Sequence, residues 1–241
     1  MSVTICFDFG NTRFKAAIFK EKELVEVCVL ENATVETIAA LLIKWDPNKS
    51  ILSSVIHHDK AIEDLLMQKT QFHLLGPHTK INFTTPVGKP ETIGADRLAL
   101  CAAVVHLYPE QHNLVISMGT CITFNFISNR QEFLGGSISP GMQMRFKAMH
   151  EQTALLPLIT PSNEFNLIGY DTKTNILSGV ILGIAAEIDG IIGAYEEKYG
   201  NFNVLLTGGD LSYFVPHLKK RIFADQNLIF KGLYAISEKN N

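Results

Sequence analysis

Residues 3–30, VTICFDFGNTRFKAAIFKEKELVEVCVL, decide the fold. Three β-rich runs, 3–9, 13–19 and 24–30, are joined by Gly-Asn-Thr and by the charged Lys-Glu-Lys-Glu, the pattern of a short antiparallel meander. Asp8 lies near the end of the first run, just before the glycine step. Helix follows. Ile38, Leu41, Leu42 and Trp45 stand at i, i+3, i+4 and i+7, one buried helical face, with Asn32 or Thr34 as cap. Residues 50–56 then read as a buried strand, 59–69 as a helix capped by Asp59, and 71–75 as another strand. Strands come first, then helix and strand alternate.

After a helix at about 96–108 the pattern starts again. NLVISMGTCITFNFISNRQEFLGGSIS, residues 113–139, gives strand, a Gly-Thr step, strand, a polar turn and a third strand. Setting Gly10 on Gly119 places Asp8 on Ser117 and Asn11 on Thr120. The spacing further predicts a helix from Pro140 capped by Ser139, a long helix over 172–198 ended by Gly200, a strand at 203–207, a Gly-Gly-Asp turn and another helix. We therefore expect an α/β protein of two duplicated halves, 1–112 and 113–241, with a cleft between them; the last helix, about 231–239, can belong to the second half or pack back on the first.

The chain has 241 residues, 46% hydrophobic and 19% charged, with a formal net charge of −3. That balance gives no field to attract nucleic acid or an anionic membrane, and leaves a small polar substrate open. Cys6, Cys28, Cys101 and Cys121 form no C-x-x-C pair and read as reduced thiols of a cytoplasmic protein. No basic, signal-like segment opens the chain. The apolar stretch 176–195 contains Glu187 and Asp189, which suits a buried helix better than a membrane span.

Four segments combine a strand end with a glycine turn: DFGNT (8–12), MGTCIT (118–123), GGSISPG (135–141) and TGGD (207–210). Backbone N–H groups at such turns, unobstructed by side chains, can cradle a polyphosphate. Gly10, Gly119, Thr120, Cys121, Gly208 and Gly209 are the turn residues. Asp8 is placed to hold Mg²⁺ through water, while Asn11, Thr12 and Lys15 reach phosphate oxygens. Each turn taken singly reads equally well as an ordinary hairpin.

The segment Gly94-Ala95-Asp96-Arg97 precedes an apolar helical run. Asp96 is either a helix cap or a base that accepts a hydroxyl proton; Arg97 is either a surface charge or a bidentate grip on a substrate carboxylate. Base and anchor side by side suit a small hydroxy acid.

DFGNTRFK, GADR, GTCITFN, GGSISPGM and TGGD, in this order over nearly the whole chain, resemble the type III pantothenate kinases of the acetate and sugar kinase/Hsc70/actin superfamily. The resemblance implies two ribonuclease-H-like domains, a homodimer and ATP-dependent phosphorylation of pantothenate with Mg²⁺ and a monovalent cation, K⁺ or NH₄⁺. It implies Asp96 as base, Asp8 at the phosphate loop, and Gly94, Ala95, Arg97 and Thr172 at the substrate, Thr172 from the neighbouring subunit. Gly179 and Gly183, in G-x-x-x-G spacing, fit either a dimer contact or close packing within one subunit.

The chain also departs from that family's pattern. Two acids of its second half are replaced by Ser117 and Asn125, and Asn125, at the position near the monovalent cation, keeps an oxygen ligand without the charge, so cation binding should weaken or vanish. Val87 stands where a pocket tyrosine is common, which removes one hydrogen bond, a net of about 0.5–1.5 kcal/mol. These departures motivate an alternative, a catalytically weak nucleotide-binding regulatory relative; the presence of both Asp8 and Asp96 argues against it.

Overall fold

The computed structural model describes residues 2–85 and 90–240. They group into two compact units: Met1–Glu110 with Ile127–Gly135 and Asn227–Asn241, and Gln111–Phe126 with Gly136–Gln226.

In the first unit β1 (Val3–Phe9), β2 (Phe14–Lys20), β3 (Glu23–Leu30), β4 (Lys49–Ser54) and β5 (Gln71–Leu74) form a sheet in the order β3-β2-β1-β4-β5. β1 and β2 are antiparallel, as are β2 and β3; β4 runs parallel to β1, and β5 to β4. Parallel neighbours need crossovers. Helices α1 (Val35–Trp45) and α2 (Lys60–Lys69) supply them. Thr34 caps α1 by accepting from the Thr37 N–H, and Asn32 braces it by accepting from both threonine hydroxyls. Asp59 caps α2 through the Ala61 N–H.

Strand parity sorts β1 between two faces. Val3, Ile5, Phe7 and Phe9 turn to the core shared with Ile38 and Leu42 of α1 and Ile62 and Leu66 of α2. Thr4, Cys6 and Asp8 turn to the opposite face, where α7 (Leu228–Asn240) packs on β1 and β4 and α3 (Ala95–Leu107) packs on β4. Phe19, in register with Thr4, stacks on Tyr234 of α7 at 4.4 Å between centroids. Every residue from Leu98 to Val105 of α3 is buried, as expected of a helix covered on all sides. Gly232 lets α7 cross α3 closely: a Cβ there would stand 1.8 Å from the Ala99 carbonyl oxygen.

The second unit repeats the order with β6 (Asn113–Met118), β7 (Cys121–Ile127), β8 (Phe133–Pro140), β9 (Asn203–Thr207) and β10 (Phe223–Ala224), arranged β10-β9-β6-β7-β8. Leu114, Ile116 and Met118 of β6 join Ile122 and Phe124 of β7 in a core with α4 (Met142–Glu151) and α5 (Thr172–Tyr199). A one-turn α6 (Leu211–Phe214) follows the Gly-Gly-Asp turn. α5 is long and apolar enough to cross a membrane by length and composition. Its Ile176, Leu177, Ile181, Ile184 and Ile188 lie in the core of this unit, which accounts for their apolarity. Asp171 caps it in a reciprocal box with Thr174, and Gly200, at φ 71°, ends it.

One expectation is corrected. Ser139 and Pro140 do not start α4; they end β8, and Gly141 is the cap residue of the helix. β8 is an edge strand, where a proline breaks no ladder bond, and the Ser139 hydroxyl donates to Glu187 of α5 instead.

Candidate active site

In the first unit the face shared with α3 and α7 brings the ionisable residues together. Asp8 stands opposite Lys15 on β2 and opposite Ser53 on β4. Burial pushes its carboxyl up to about 6, Lys15 pulls it down, and the field of Asp96 raises it again. Beyond it the Gly10 N–H donates to the Arg13 carbonyl at 3.1 Å, which leaves Asn11 and Thr12 exposed at the tip of the turn. Asp8, Lys15 and Asp96 thus form one electrostatic group, reached from β1, β2 and α3.

Helix α3 begins at Ala95, so Asp96 and Arg97 lie within its first turn and not before it. Gly94 is the cap residue. The Asp96 carboxylate folds back over it: a Cβ on Gly94 would stand 2.6 Å from Oδ1. Asp96 accepts from its own N–H and from that of Arg97, and these bonds with the Arg97 charge pull its pKa down; burial, the larger effect, leaves it raised. Asp96 is not the cap residue of α3, a place Gly94 takes. It satisfies helix N–H groups, and burial raises its proton affinity. Arg97 lies 5.5 Å from the centroid of the Phe133 ring, in cation–π contact. Val87 lies outside the described residues.

In the second unit the glycine turns bring backbone groups together. The Gly119 N–H donates to the Cys121 carbonyl at 3.0 Å, with Thr120 exposed between them. The Gly141 N–H donates to the Thr120 carbonyl at 3.0 Å. Gly141 must be glycine, because a Cβ would meet the Gly119 oxygen at 2.1 Å. Gly208 is held at φ +106° and a Cβ there would meet the Met118 oxygen at 2.2 Å. Gly119 and Gly209 differ. Neither has positive φ, and a Cβ on either would meet nothing within 4 Å. Their side-chain positions open onto free space at the mouths of the two turns.

Asn125 is fully buried, and its Nδ2 donates to Thr123 Oγ1 at 3.2 Å and to the Val115 carbonyl at 3.4 Å. Ser117, the counterpart of Asp8, stands in register with Thr207 of β9. Thr172 is exposed in the first turn of α5. Gly179 and Gly183 are exposed too, and added Cβ atoms would meet nothing within 4 Å, so close packing within the subunit does not explain them.

The sequence reading passed over Gly141 as the glycine required by the second turn, Phe133 beneath Arg97, and Ser53 beside Asp8. Only Gly141 carried a sequence signal, its place beside Ser-Pro.

Two five-stranded units of the same strand order, with an acid at the first strand–turn junction and glycine turns at the second, make the duplicated α/β fold of actin-like ATPases and sugar kinases. Solved structures share the fold. A conserved Campylobacter jejuni protein assigned to the Baf family of transcriptional activators aligns at a TM-score of 0.62 over 98% of both chains with 22% identity. A ROK family glucokinase from Streptomyces griseus aligns at 0.52 over 99% of both with 12% identity. The type III pantothenate kinase family matches residues 4–194, and this chain belongs to that family. It is 40% identical over 240 residues to a type III pantothenate kinase from Christiangramia forsetii, covering 99% of both chains. A type III pantothenate kinase from Bacteroides fragilis is 38% identical over 243 residues, again with 99% of each covered. The chain is accordingly a phosphotransferase that uses ATP to phosphorylate pantothenate, the first step of coenzyme A synthesis.

Proposed function

We propose that Asp96 is the base of this reaction, Arg97 the anchor of the pantothenate carboxylate, and Asp8 with the glycine turns the holder of Mg·ATP. The observation that carries the reading is the pair of raised carboxyls in one unit, Asp8 and Asp96, each lifted mainly by burial. Two carboxylates of separated roles with raised proton affinity mark a site, not a solvated surface.

The residues fit the groups they would hold. Among the described residues no cluster of three His, Cys, Asp or Glu side chains could bind a metal by itself. Magnesium in a kinase does not ask for one, since one carboxylate, water and the phosphates complete its shell. Asp8 beside Lys15 is such a carboxylate, and the open positions at Gly119 and Gly209 are the room a phosphate chain requires. When bound, Mg²⁺ neutralises charge on the phosphates. Asp96 orients the primary hydroxyl of pantothenate and takes its proton. Lys15 supplies positive charge at the first turn, with Asn11 and Thr12 as hydrogen-bond partners, while Gly10, Thr120, Cys121 and Gly208 shape the backbone of the turns. Gly94 leaves room for the Asp96 carboxylate, and Ala95 lets the chain approach the substrate.

The monovalent cation fits less well. Asn125 commits its amide nitrogen to the sheet and brings no charge, which supports a reaction independent of K⁺ or NH₄⁺. We further infer a homodimer. Leu167, Ile168 and Tyr170 are about four-fifths exposed, and they lead into the helix whose outer face carries Gly179 and Gly183. A second copy would cover this surface and could receive Thr172. Four free cysteines support a cytoplasmic location. The test is to incubate the protein with Mg·ATP and pantothenate and identify the product by mass. 4'-Phosphopantothenate is expected; ATP hydrolysis without it, or no turnover, would overturn the proposal.

A further inference from the structure

Ser53, one residue before the end of β4, lies on the same face as Asp8 and directly beside it in the parallel register. It is fully buried, and its hydroxyl finds no hydrogen-bond partner among the described residues. Among the described residues four buried side-chain atoms share that condition, on Trp45, Ser53, Asn82 and Thr85, and of these Ser53 stands in register with a proposed site residue. A buried hydroxyl left unpaired costs free energy, and a chain that keeps one needs a reason for it. Asp8, its neighbour, makes no hydrogen bond or ion pair of its own among the described residues; the charges of Lys15 and Asp96 act on it. An unspent donor and an unspent acceptor thus lie side by side on adjacent strands. As Cα partners on adjacent parallel strands they stand on the same face of the sheet, and each side chain has staggered rotamers to choose among.

We propose that Ser53 is a positioning residue for Mg·nucleotide binding: its hydroxyl donates to one oxygen of the Asp8 carboxylate and so aims the other at the water shell of the metal. The inference rests on the assignment of Asp8 to the nucleotide. Serine suits the position because it is small enough for a filled sheet face and neutral, so it adds no charge to the two carboxylates already there. Its contribution is to orientation; Ser53 touches neither phosphate nor substrate.

The experiment is calorimetric binding of Mg·ADP, and of ADP in EDTA, to the full-length wild type and to Ser53→Ala, Ser53→Thr and Asp8→Asn, with melting of each nucleotide-free protein. Ser53→Ala is expected to lower the preference for the magnesium form about tenfold, the size of one charge-assisted hydrogen bond. Ser53→Thr, which keeps the hydroxyl, should recover it to within about threefold on the same scale. Loss of an unpaired hydroxyl should leave the melting temperature of nucleotide-free Ser53→Ala within about 2 °C of wild type or above it, where loss of a structural bond would lower it. An unchanged magnesium preference in Ser53→Ala, with that of Asp8→Asn lost, would overturn the role of Ser53 and leave the Asp8 assignment standing. An unchanged preference in Asp8→Asn would remove the assignment and this inference with it.

Discussion

The turn after β1 and the turn after β6 occupy equivalent places in two sheets of the same strand order, yet they are built from different chemistry. Asp8 and Ser117 each stand one residue before the strand end, with a glycine just beyond, and each faces a hydroxyl on the parallel neighbour, Ser53 in one unit and Thr207 in the other. In the first unit the carboxylate is ionisable, set near Lys15 and Asp96 and raised by burial. In the second, Ser117 takes the place of that acid, and two required glycines, Gly141 and Gly208, press the neighbouring backbone against the turn while Gly119 and Gly209 leave space. At this one strand end the duplicated fold has placed a carboxylate in one copy and a serine beside closely packed glycine turns in the other. Charge is what proton transfer and metal positioning need; backbone N–H groups are what a phosphate chain needs.

The comparison breaks most readily at the charged side. Asp96→Asn should lower kcat by about 10²–10⁴-fold with the helix intact, because the amide oxygen still accepts from the α3 N–H groups. Turnover measured beside far-UV circular dichroism checks both halves of that statement. Asp8→Asn should lower kcat/KM for Mg·ATP and, in the nucleotide-free protein, raise stability. The folded state holds the Asp8 proton more tightly than the unfolded chain does. The stability this gives is therefore fully present below the ordinary carboxylate range and lost as pH rises through about 6. Asparagine escapes that loss, so the variant should be more stable by about 1–3 kcal/mol near pH 8 and by little near pH 4, read by denaturant titration at both pH values.

The backbone side divides within itself. Gly208→Ala should destabilise by about 2–4 kcal/mol, since its φ and the Met118 oxygen both oppose a side chain. Gly209→Ala, one residue on, should melt as wild type does and raise KM for ATP. At the dimer surface, Ile168→Asp should shift sedimentation from dimer to monomer. The smallest effect is expected from the cation: replacing K⁺ with Na⁺ should change the rate less than about twofold, because Asn125 brings no charge to hold either.

Much of this arrangement was legible in the sequence, for reasons particular residues make plain. Strand and helix succession followed from apolar period and from local caps, and Thr34, Asp59 and Gly200 act within one turn of themselves. Asp8 stood out because an acid at the end of a buried strand is costly without a use. Ser139-Pro140 misled because its local signal is that of a helix start, while the deciding facts are an edge strand and a Glu187 partner 48 residues away. The helix expected after Gly-Gly-Asp is a single turn, with Pro216 in the 3₁₀ turn that follows. Ser53 could not be read at all: in a run of apolar and small residues, nothing local separates an unpaired hydroxyl from a satisfied one.

Steady-state kinetics of Asp96→Asn and Gly209→Ala, as ADP release with pantothenate saturating and ATP varied, test the division between the two units most directly. The account predicts that Asp96→Asn loses kcat and keeps KM for ATP, while Gly209→Ala raises KM for ATP and keeps most of kcat. The reverse pattern, or equal losses of kcat in both, would contradict it.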